Sequence, residues 1–155
     1  MRVAGLAVAV PSKGRPAVFI VVMDSTSPTA VTHSEAIPSV QADLPQQIHD
    51  AAEAVRSRLK GLGVDRAVVR RADVPVKPSK FEGPRIRLLM EGAITSAARS
   101  VVVDTRLGTG RELAVAMGVS KATVDAAALA ATTAAGLRSD QFGEATAAAH
   151  VGLSI

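Results

Sequence analysis

The sequence predicts an α/β fold in which a mixed five-stranded sheet is flanked by helices. Three segments in the N-terminal part are strand-like and are joined by short polar turns, which indicates an antiparallel meander. After this meander, helical and strand-like patterns alternate, which is typical of strands joined by helical crossovers. The predicted order of elements is β-β-β-α-β-α-β-α-α, and the length of 155 residues fits one domain.

The first three strands are predicted from runs of apolar residues. Residues 3–10 and 17–23 are almost continuously apolar, which is typical of buried strands, whereas residues 30–37 alternate loosely and predict a less buried strand. Turns rich in Pro, Gly and small polar residues separate these runs. Gly5 lies within the first run and indicates the close approach of another backbone.

A capped helix and a buried strand follow the meander. Asp43 stands at the N-cap position, Gln46 has the capping-box spacing, and apolar residues then recur at helical spacing. Gly61 and Gly63 are placed to end this helix. Residues 64–70 predict a strand that is buried on both faces, and a ligand site is expected at its C-terminal end.

The next part of the chain predicts a loop, a helix and a strand. Residues 73–83 contain two prolines and two lysines without periodicity, which predicts an exposed basic loop. Pro84 suits the first turn of a second helix, whose apolar face extends to Ala97. Residues 100–104 contain three consecutive valines and predict the fifth strand.

Two helices end the predicted domain. The turn at 108–112, Gly-Thr-Gly-Arg-Glu, resembles a phosphate-binding turn at a helix start, but it lacks the complete glycine pattern, so an ordinary strand-to-helix turn is the favoured interpretation. A short helix is expected from there to Met117, and Ser120 caps a last, alanine-rich helix. We therefore assign residues 1–136 to one domain and residues 137–155 to a short C-terminal tail, which can be helical.

Composition limits the functional classes. The net charge is +4 and the sequence pI is about 10.1, which permits an anionic partner without requiring one. Cysteine is absent, so disulfides, thiolate metal sites and a cysteine nucleophile are excluded. No stretch reaches the roughly 20 apolar residues of a membrane span. The first residues lack a signal-peptide pattern, so we expect a cytoplasmic protein that does not enter a membrane.

Three short motifs accompany the order of elements: Gly-Leu at 5–6 in the first strand, Val-Val at 68–69 in the fourth, and Asp125 before an alanine-rich stretch. With them, residues 2–136 resemble the ribonuclease-H-like superfamily, and most of all Holliday-junction resolvases of the RuvC type and small bacterial proteins that look like degenerate relatives of these. Resolvases of this type cut phosphodiesters with two metal ions, held by carboxylates on the first strand, the fourth strand and the last helix. Two divalent cations about 4 Å apart need several negative oxygen ligands.

Carried over residue by residue, the family's carboxylates are mostly absent. Ala7 follows Gly-Leu where the family has Asp, and Arg70 follows Val-Val where the family has Glu. Asp125 matches the last-helix Asp, but Ala122 stands where a second Asp is expected one turn earlier. The resemblance therefore implies a degenerate member without metal-dependent catalysis, because an arginine at a ligand position repels cations. No cofactor is expected, and Mg²⁺ or Mn²⁺ would be needed only by an atypical nuclease site.

Six basic residues cluster around the end of the fourth strand, its loop and the next helix. They are Arg70, Arg71, Lys77, Lys80, Arg85 and Arg87. Lys and Arg supply most of the non-specific affinity for nucleic-acid phosphates, so this cluster is a candidate nucleic-acid or anion surface. The alternative is a solvated face with local ion pairs to Asp73, Glu82 and Glu91. A further hypothesis is that Arg70 pairs with Asp125 across the vestigial site.

Three functions remain open. The first is a non-catalytic ribonuclease-H-like domain that binds nucleic acid through the basic cluster. The second is a scaffold or assembly subunit whose partner is another protein or a second copy of the chain, as in a homodimer. Small residues along the alanine-rich helix permit close helix packing, either across such a dimer or within the chain, and packing within the chain is the favoured interpretation. The third is a metal-dependent nuclease with an atypical site.

Overall fold

The described residues form five strands and five helices. The computed structural model describes residues 1–73 and 82–155. In chain order, the elements are β1 (Arg2–Ala9), β2 (Ala17–Asp24), β3 (Ser27–Pro38), α1 (Leu44–Leu62), β4 (Arg66–Arg70), α2 (Gly83–Arg99), β5 (Asp104–Gly108), α3 (Gly110–Met117), α4 (Lys121–Ala134) and α5 (Ser139–Gly152). This is the predicted order with one helix added. No single helix among the described residues is long and apolar enough to cross a membrane; α3 and α4, bent by 97°, pass that test together by length and composition.

All five strands belong to one mixed sheet with the order β3-β2-β1-β4-β5. β1 and β3 both pair antiparallel with β2, whereas β4 is parallel to β1 and to β5. The three parallel strands therefore end at the same edge of the sheet. This arrangement confirms the predicted mixed sheet and its antiparallel meander of three strands.

Helices cover both faces of the sheet. On one face, side chains such as Leu6 and Val69 belong to a buried cluster with α1 and α2. On the other face, Val3 and Val68 pack with α3, α4 and α5, and Ala7 continues this side toward the strand end. Because alternate residues of a strand point to the same face, Arg70 projects to the side of Val68 and Ala7.

The first helix has the ends that its sequence predicts. The Asp43 carboxylate accepts a hydrogen bond from the Gln46 amide at 3.1 Å, which confirms the N-cap. The Gln46 side chain turns to Asp50 rather than back to the Asp43 amide, so the capping box is only half realised. Gly63 closes the helix in the left-handed conformation, with a φ of 58°.

The fifth strand lies further along the chain than the sequence predicts. The expected strand covers residues 100–104, whereas β5 comprises Asp104–Gly108. The valines form a turn after α2, in which the Val102 amide donates to the carbonyl of Ala98 at 2.8 Å. Val102 is buried, but Val103 is 81% exposed. The prediction is wrong because the valines belong to the turn that ends α2. The more polar segment that follows them pairs with β4.

The segment 137–155, expected as a tail, contains α5 and belongs to the core. α5 packs so closely on β1 that a Cβ at Gly5 would come within 1.9 Å of the Ala145 carbonyl oxygen. This contact confirms that Gly5 marks the close approach of another backbone. Ala148 and Ala149 are completely buried. Among the described residues, the packed fold therefore continues past residue 136, because α5 covers the second face of the sheet.

Candidate functional site

The ends of the three parallel strands place Ala7, Arg70 and Gly108 side by side. Ala7 of β1 is the register partner of Arg70 in β4, and Arg70 is the register partner of Gly108 in β5. α3 begins directly after β5, with Thr109 as its N-cap. Open α/β sheets bind ligands at this edge, so these residues define the candidate site.

Arg70 is a buried cation at this edge. The residue is only 4% exposed, and its guanidinium lies against Gly110, where a Cβ would come within 2.4 Å of Nη2. Nη2 donates to Oδ2 of Asp73 at 3.3 Å. Nη1 is buried and has no hydrogen-bond partner in the part of the chain that the structure describes. Since burying a charge is costly without full hydrogen bonding, the charge of Arg70 is incompletely compensated.

Asp125 pairs with Lys121 rather than with Arg70, so the hypothesis of an Arg70–Asp125 pair is wrong. Asp125 and Arg70 do line one cleft, with a volume of about 230 Å³. The Asp125 carboxylate accepts from Nζ of Lys121 at 2.5 Å, one turn earlier on α4. Such i,i+4 pairs form locally on exposed helix faces. Arg70 is held instead by Asp73, three residues along its own segment.

Of the two carboxylates on the last helix, Asp140 and Glu144, the one that lines this cleft is Glu144, whereas Asp125 lies on α4. Glu144 leads an alanine-rich stretch of α5 and lines the same cleft as Arg70. Gln141 stands one turn before it. The resembling nucleases have their carboxylates on the last helix, which here is α5. Glu144 and Gln141 therefore occupy the positions for which the sequence analysis proposes Asp125 and Ala122. The sequence does show an acidic residue, Glu144, before an alanine-rich stretch. This residue is passed over in the sequence analysis because residues 137–155 are predicted to be a tail.

Arg87 links the two sides of the sheet at this edge. Its Nε donates to Oε1 of Glu91 at 2.7 Å, and its Nη2 donates to Oε2 of Glu144 at 2.6 Å. Glu91 is 2% exposed and also accepts from the Ala72 amide at 2.9 Å. We call Glu91, Arg87 and Glu144 the α2–α5 bridge. Burial, the largest influence, favours a lower pKa for Arg87, but the hydrogen bonds and charges of the two carboxylates outweigh it and raise the pKa.

A second cleft lies beside the start of α3. Its volume is about 440 Å³, and it is lined by Arg71, Asp73, Thr109, Arg111, Glu112 and Lys121. We call it the α3 cleft. Cations outnumber carboxylates among these side chains, and the guanidinium of Arg70 contacts Asp73 at its border. The α3 cleft is therefore a concave surface of net positive charge.

Glu112 organises the start of α3. Its Oε2 accepts from the Thr109 amide at 2.7 Å, while the Thr109 hydroxyl accepts from the Glu112 amide at 3.2 Å, which completes a capping box. Nη2 of Arg71 donates to both carboxylate oxygens of Glu112 at 3.2 Å. The Thr109 amide, then the Thr109 hydroxyl and Arg71, hold the pKa of Glu112 below its ordinary value of 4.5.

Three members of the predicted basic cluster meet at the strand ends. Arg70, Arg71 and Arg87 lie there, and each is engaged by at least one carboxylate. Two of the local pairs considered from the sequence, with Asp73 and with Glu91, are formed. For Arg71, whose pair with Glu112 is exposed, ion pairing and anion binding are compatible because exposed pairs are weak and exchange partners readily. The anion-binding role of these arginines stays a prediction.

The remaining members of the cluster lie elsewhere. Arg85 is on the exposed face of α2, and Lys77 and Lys80 lie outside the described residues. Arg111 and Lys121 join Arg71 in the α3 cleft, and neither belongs to the predicted basic cluster. Arg111 belongs to the turn at 108–112 that resembles a phosphate-binding turn, whereas no local signal in the sequence marks Lys121. Only the packing of α3 and α4 brings them to Arg71.

The side chains at this edge do not fit the two-metal centre of the enzymes that the sequence resembles. Ala7 offers no oxygen ligand on β1, and Arg70 places a positive charge at the end of β4. Within residues 1–73 and 82–155, no group of three or more His, Asp or Glu could hold a metal ion. Glu144 is bonded to Arg87. The chemistry of these side chains suits an anion better than a cation.

Solved structures of known proteins identify the fold. No family model and no curated protein sequence matches the chain. Thermus thermophilus RuvC is 15% identical with a TM-score of 0.66, and the match covers 97% of this chain and 92% of RuvC. T. thermophilus RuvC in complex with Holliday junction substrate is 18% identical with a TM-score of 0.65, covering 97% and 91%. The fold is therefore ribonuclease-H-like and of the RuvC type, as predicted, and the match extends beyond residue 136.

Proposed function

We propose that this chain is a non-catalytic ribonuclease-H-like domain that binds nucleic acid at the C-terminal edge of its parallel strands. The observation that carries the proposal is the place of Arg70. Arg70 is 4% exposed, and its guanidinium stands at the end of β4, where the resembling nucleases have a carboxylate. A fixed positive charge at that point attracts a phosphate and repels a metal ion.

The α3 cleft extends this charge along the surface. Arg71, Arg111 and Lys121 line it, and the net charge of the whole chain is +4. Cationic side chains of this kind contact phosphates and position a protein on nucleic acid without reading its sequence. The T. thermophilus RuvC structure with Holliday junction substrate supports the proposal, since a protein of this fold binds branched DNA.

Backbone contacts rather than base stacking are the expected mode of binding. Phe19 and Phe142 form an edge-to-face pair in the core, with ring centroids 5.0 Å apart. Phe81, the third aromatic residue of the chain, lies outside the described residues. Stacking platforms for single strands need exposed aromatic rings. We therefore expect duplex or branched nucleic acid to bind at least as tightly as single strands.

A fluorescence-anisotropy titration with branched, duplex and single-stranded nucleic acids at two salt concentrations tests the proposal. We expect binding that weakens steeply with salt, because each phosphate contact releases counterions. Arg111→Ala and Lys121→Ala should each weaken binding and lower the salt dependence. Arg58→Ala and Lys60→Ala are matched controls, since they remove the same charges from α1. Absence of binding at low salt would contradict the proposal.

Protein assembly is a second candidate, favoured by the outer face of α2. Leu88 and Leu89 are each 54% exposed there, beside the exposed Gly92. Adjacent exposed leucines are typical of contact surfaces. Sedimentation equilibrium distinguishes the two candidates. A stable oligomer that ignores nucleic acid and dissociates in Leu88→Ser would favour assembly, whereas a monomer that binds nucleic acid would favour the first proposal.

A further inference from the structure

Two positive groups meet at Gly110. Gly110 is the first residue of the eight-residue helix α3, whose amino end carries partial positive charge. The Arg70 guanidinium lies directly against it, since a Cβ on Gly110 would come within 2.4 to 2.5 Å of Nη2, Cζ and Nη1. A cation beside the amino end of a helix is unfavourable unless an anion accompanies it. Glu112 already places one carboxylate at the Thr109 amide, and the Arg70 guanidinium beside Gly110 favours a second negative group there.

The hydrogen-bond donors of this region are only partly used. The capping box satisfies the amides of Thr109 and Glu112. Within the described residues, the amides of Gly110 and Arg111 have no acceptor. Nη1 of Arg70 is buried and also lacks one. Unused amides at a helix start together with a guanidinium form the donor set that binds phosphate oxygens in proteins.

Asp73 supplies the negative charge that contacts Arg70 in the present structure. Its Oδ2 accepts from Nη2 of Arg70 at the long distance of 3.3 Å, and its side chain is 58% exposed. The chain therefore pairs a weakly held carboxylate with the guanidinium of an arginine that is 4% exposed. A single contact of this length and exposure contributes little to stability, so a competing anion can displace it.

We infer that Arg70 and the amino end of α3 form a phosphate-binding site that the Asp73 carboxylate closes when no ligand is present. In the bound state, a phosphate group replaces the Asp73 carboxylate at Arg70 and accepts from the Gly110 and Arg111 amides. The guanidinium thereby takes over the phosphate-binding charge that metal ions would supply in a nuclease. That the phosphate belongs to a nucleic-acid backbone rests on the proposed function.

Asp73→Asn tests the inference, with Asp125→Asn as a matched control. Both substitutions remove one carboxylate of an exposed ion pair at the same edge, with side chains 58% and 52% exposed. Each substitution removes one negative charge and releases one cation of this edge, Arg70 or Lys121, so a difference between the two variants is specific to the Arg70 site. Asp73→Asn should tighten binding of a duplex with hydroxyl ends by about two- to fivefold more than Asp125→Asn does. Arg70→Lys, which keeps the charge and loses the planar fork, should weaken it about tenfold.

Amide NMR spectra locate the ligand independently of affinity. Inorganic phosphate, the hydroxyl-ended duplex and the same duplex with 5′-phosphates are titrated separately into the full chain. We expect the Gly110 and Arg111 amides and the Arg70 Nε–H to shift with all three. These shifts in the wild-type chain and in Asp73→Asn keep the test valid if Arg70→Lys fails to fold.

The outcomes separate this inference from the proposed function. Duplex binding in which Asp73→Asn and Asp125→Asn behave alike, with unmoved Gly110 and Arg111 amides, would overturn the phosphate site and leave nucleic-acid binding intact. Shifts with inorganic phosphate, without binding of the hydroxyl-ended duplex, would support the site and overturn nucleic-acid binding. If only the phosphorylated duplex binds, the site holds terminal phosphates rather than the backbone.

Discussion

Nη2 of Arg87 on α2 donates a hydrogen bond of 2.6 Å to Oε2 of Glu144 on α5, and this ion pair spans the two sides of the sheet at the strand ends. The same guanidinium is bonded to Glu91, which is 2% exposed. The carboxylate of Glu144 is therefore engaged in a structural contact, as part of the α2–α5 bridge. A buried carboxylate with a single cationic partner depends strongly on that partner.

Arg87→Met should destabilise the fold, because it leaves Glu91 buried without a cation. We expect the free energy of unfolding, measured by urea denaturation, to fall by about 3–5 kcal/mol. Arg85→Met, two residues earlier on the exposed face of α2, should change it by less than about 0.5 kcal/mol. Adding Glu91→Gln to Arg87→Met should recover part of the loss, since a neutral amide still accepts from the Ala72 amide. Equal effects of the two arginine substitutions would contradict the bridge.

Gly5→Ala should prevent stable folding. The new Cβ would lie 1.9 Å from the Ala145 oxygen and 2.4 Å from the Ala149 nitrogen, both backbone atoms of α5. We expect a loss above about 4 kcal/mol or no cooperative unfolding transition by circular dichroism. The control is Gly61→Ala in α1, which meets no atom within 4 Å and should stabilise the chain by about 0.5–1 kcal/mol. A folded Gly5→Ala protein of normal stability would show that α5 does not pack there.

Arg66→Ala should loosen the C-terminal end of α5. Nη1 of Arg66 donates to the Gly152 carbonyl at 2.6 Å and to the Ile155 carbonyl, and Nε donates to Asp104 at 2.5 Å. We expect a loss of about 1–3 kcal/mol and faster hydrogen exchange in the last turn of α5. Arg106→Ala removes the other, exposed partner of Asp104. Arg106→Ala should leave hydrogen exchange in the last turn of α5 unchanged. Equal exchange rates in the two variants would show that Arg66 does not hold the end of α5.

Acid should weaken the start of α3 through Glu112. Its pKa is lowered, mainly by the Thr109 amide, so its contribution to stability is complete above the ordinary value of 4.5 and is lost as pH falls through the lower folded pKa. Urea unfolding of the wild type and Glu112→Gln between about pH 6 and pH 3 measures this. The wild type should be more stable by a constant amount above about pH 4.5, and the difference should shrink below it. A constant difference down to pH 3 would exclude Glu112 as the cause.

The sequence predicts those parts of the fold whose signals are local. Asp43 and Gly63 mark the ends of α1 because capping depends on neighbouring residues, and the apolar run before Arg70 marks β4. Gly5 is informative because a glycine weakens a buried strand unless the missing side chain makes room for another backbone. α5 escapes detection because it is buried on several sides and alanine-rich, so it shows no amphipathic period.

The candidate site is harder to predict, because it is assembled from separate elements. Arg70 at the end of a strand is recognisable in the sequence, and so is its nearby partner, Asp73. The contact between Arg87 and Glu144 depends on the placement of α5, which the sequence does not indicate. The sequence marks the turn that contains Arg111, but the position of Arg111 beside Arg71 depends on the packing of α3, which no local pattern encodes.

The most direct test of the central claim, that the chain binds nucleic acid without cutting it, is recovery of bound DNA. Branched and duplex DNA are incubated with the protein at low salt with Mg²⁺ or Mn²⁺, the complexes are isolated, and the strands are run on a denaturing gel. We predict salt-sensitive complexes whose DNA strands remain intact. Metal-dependent products that disappear in Glu144→Gln or Asp125→Ala would contradict the claim and identify the protein as a nuclease with an atypical site.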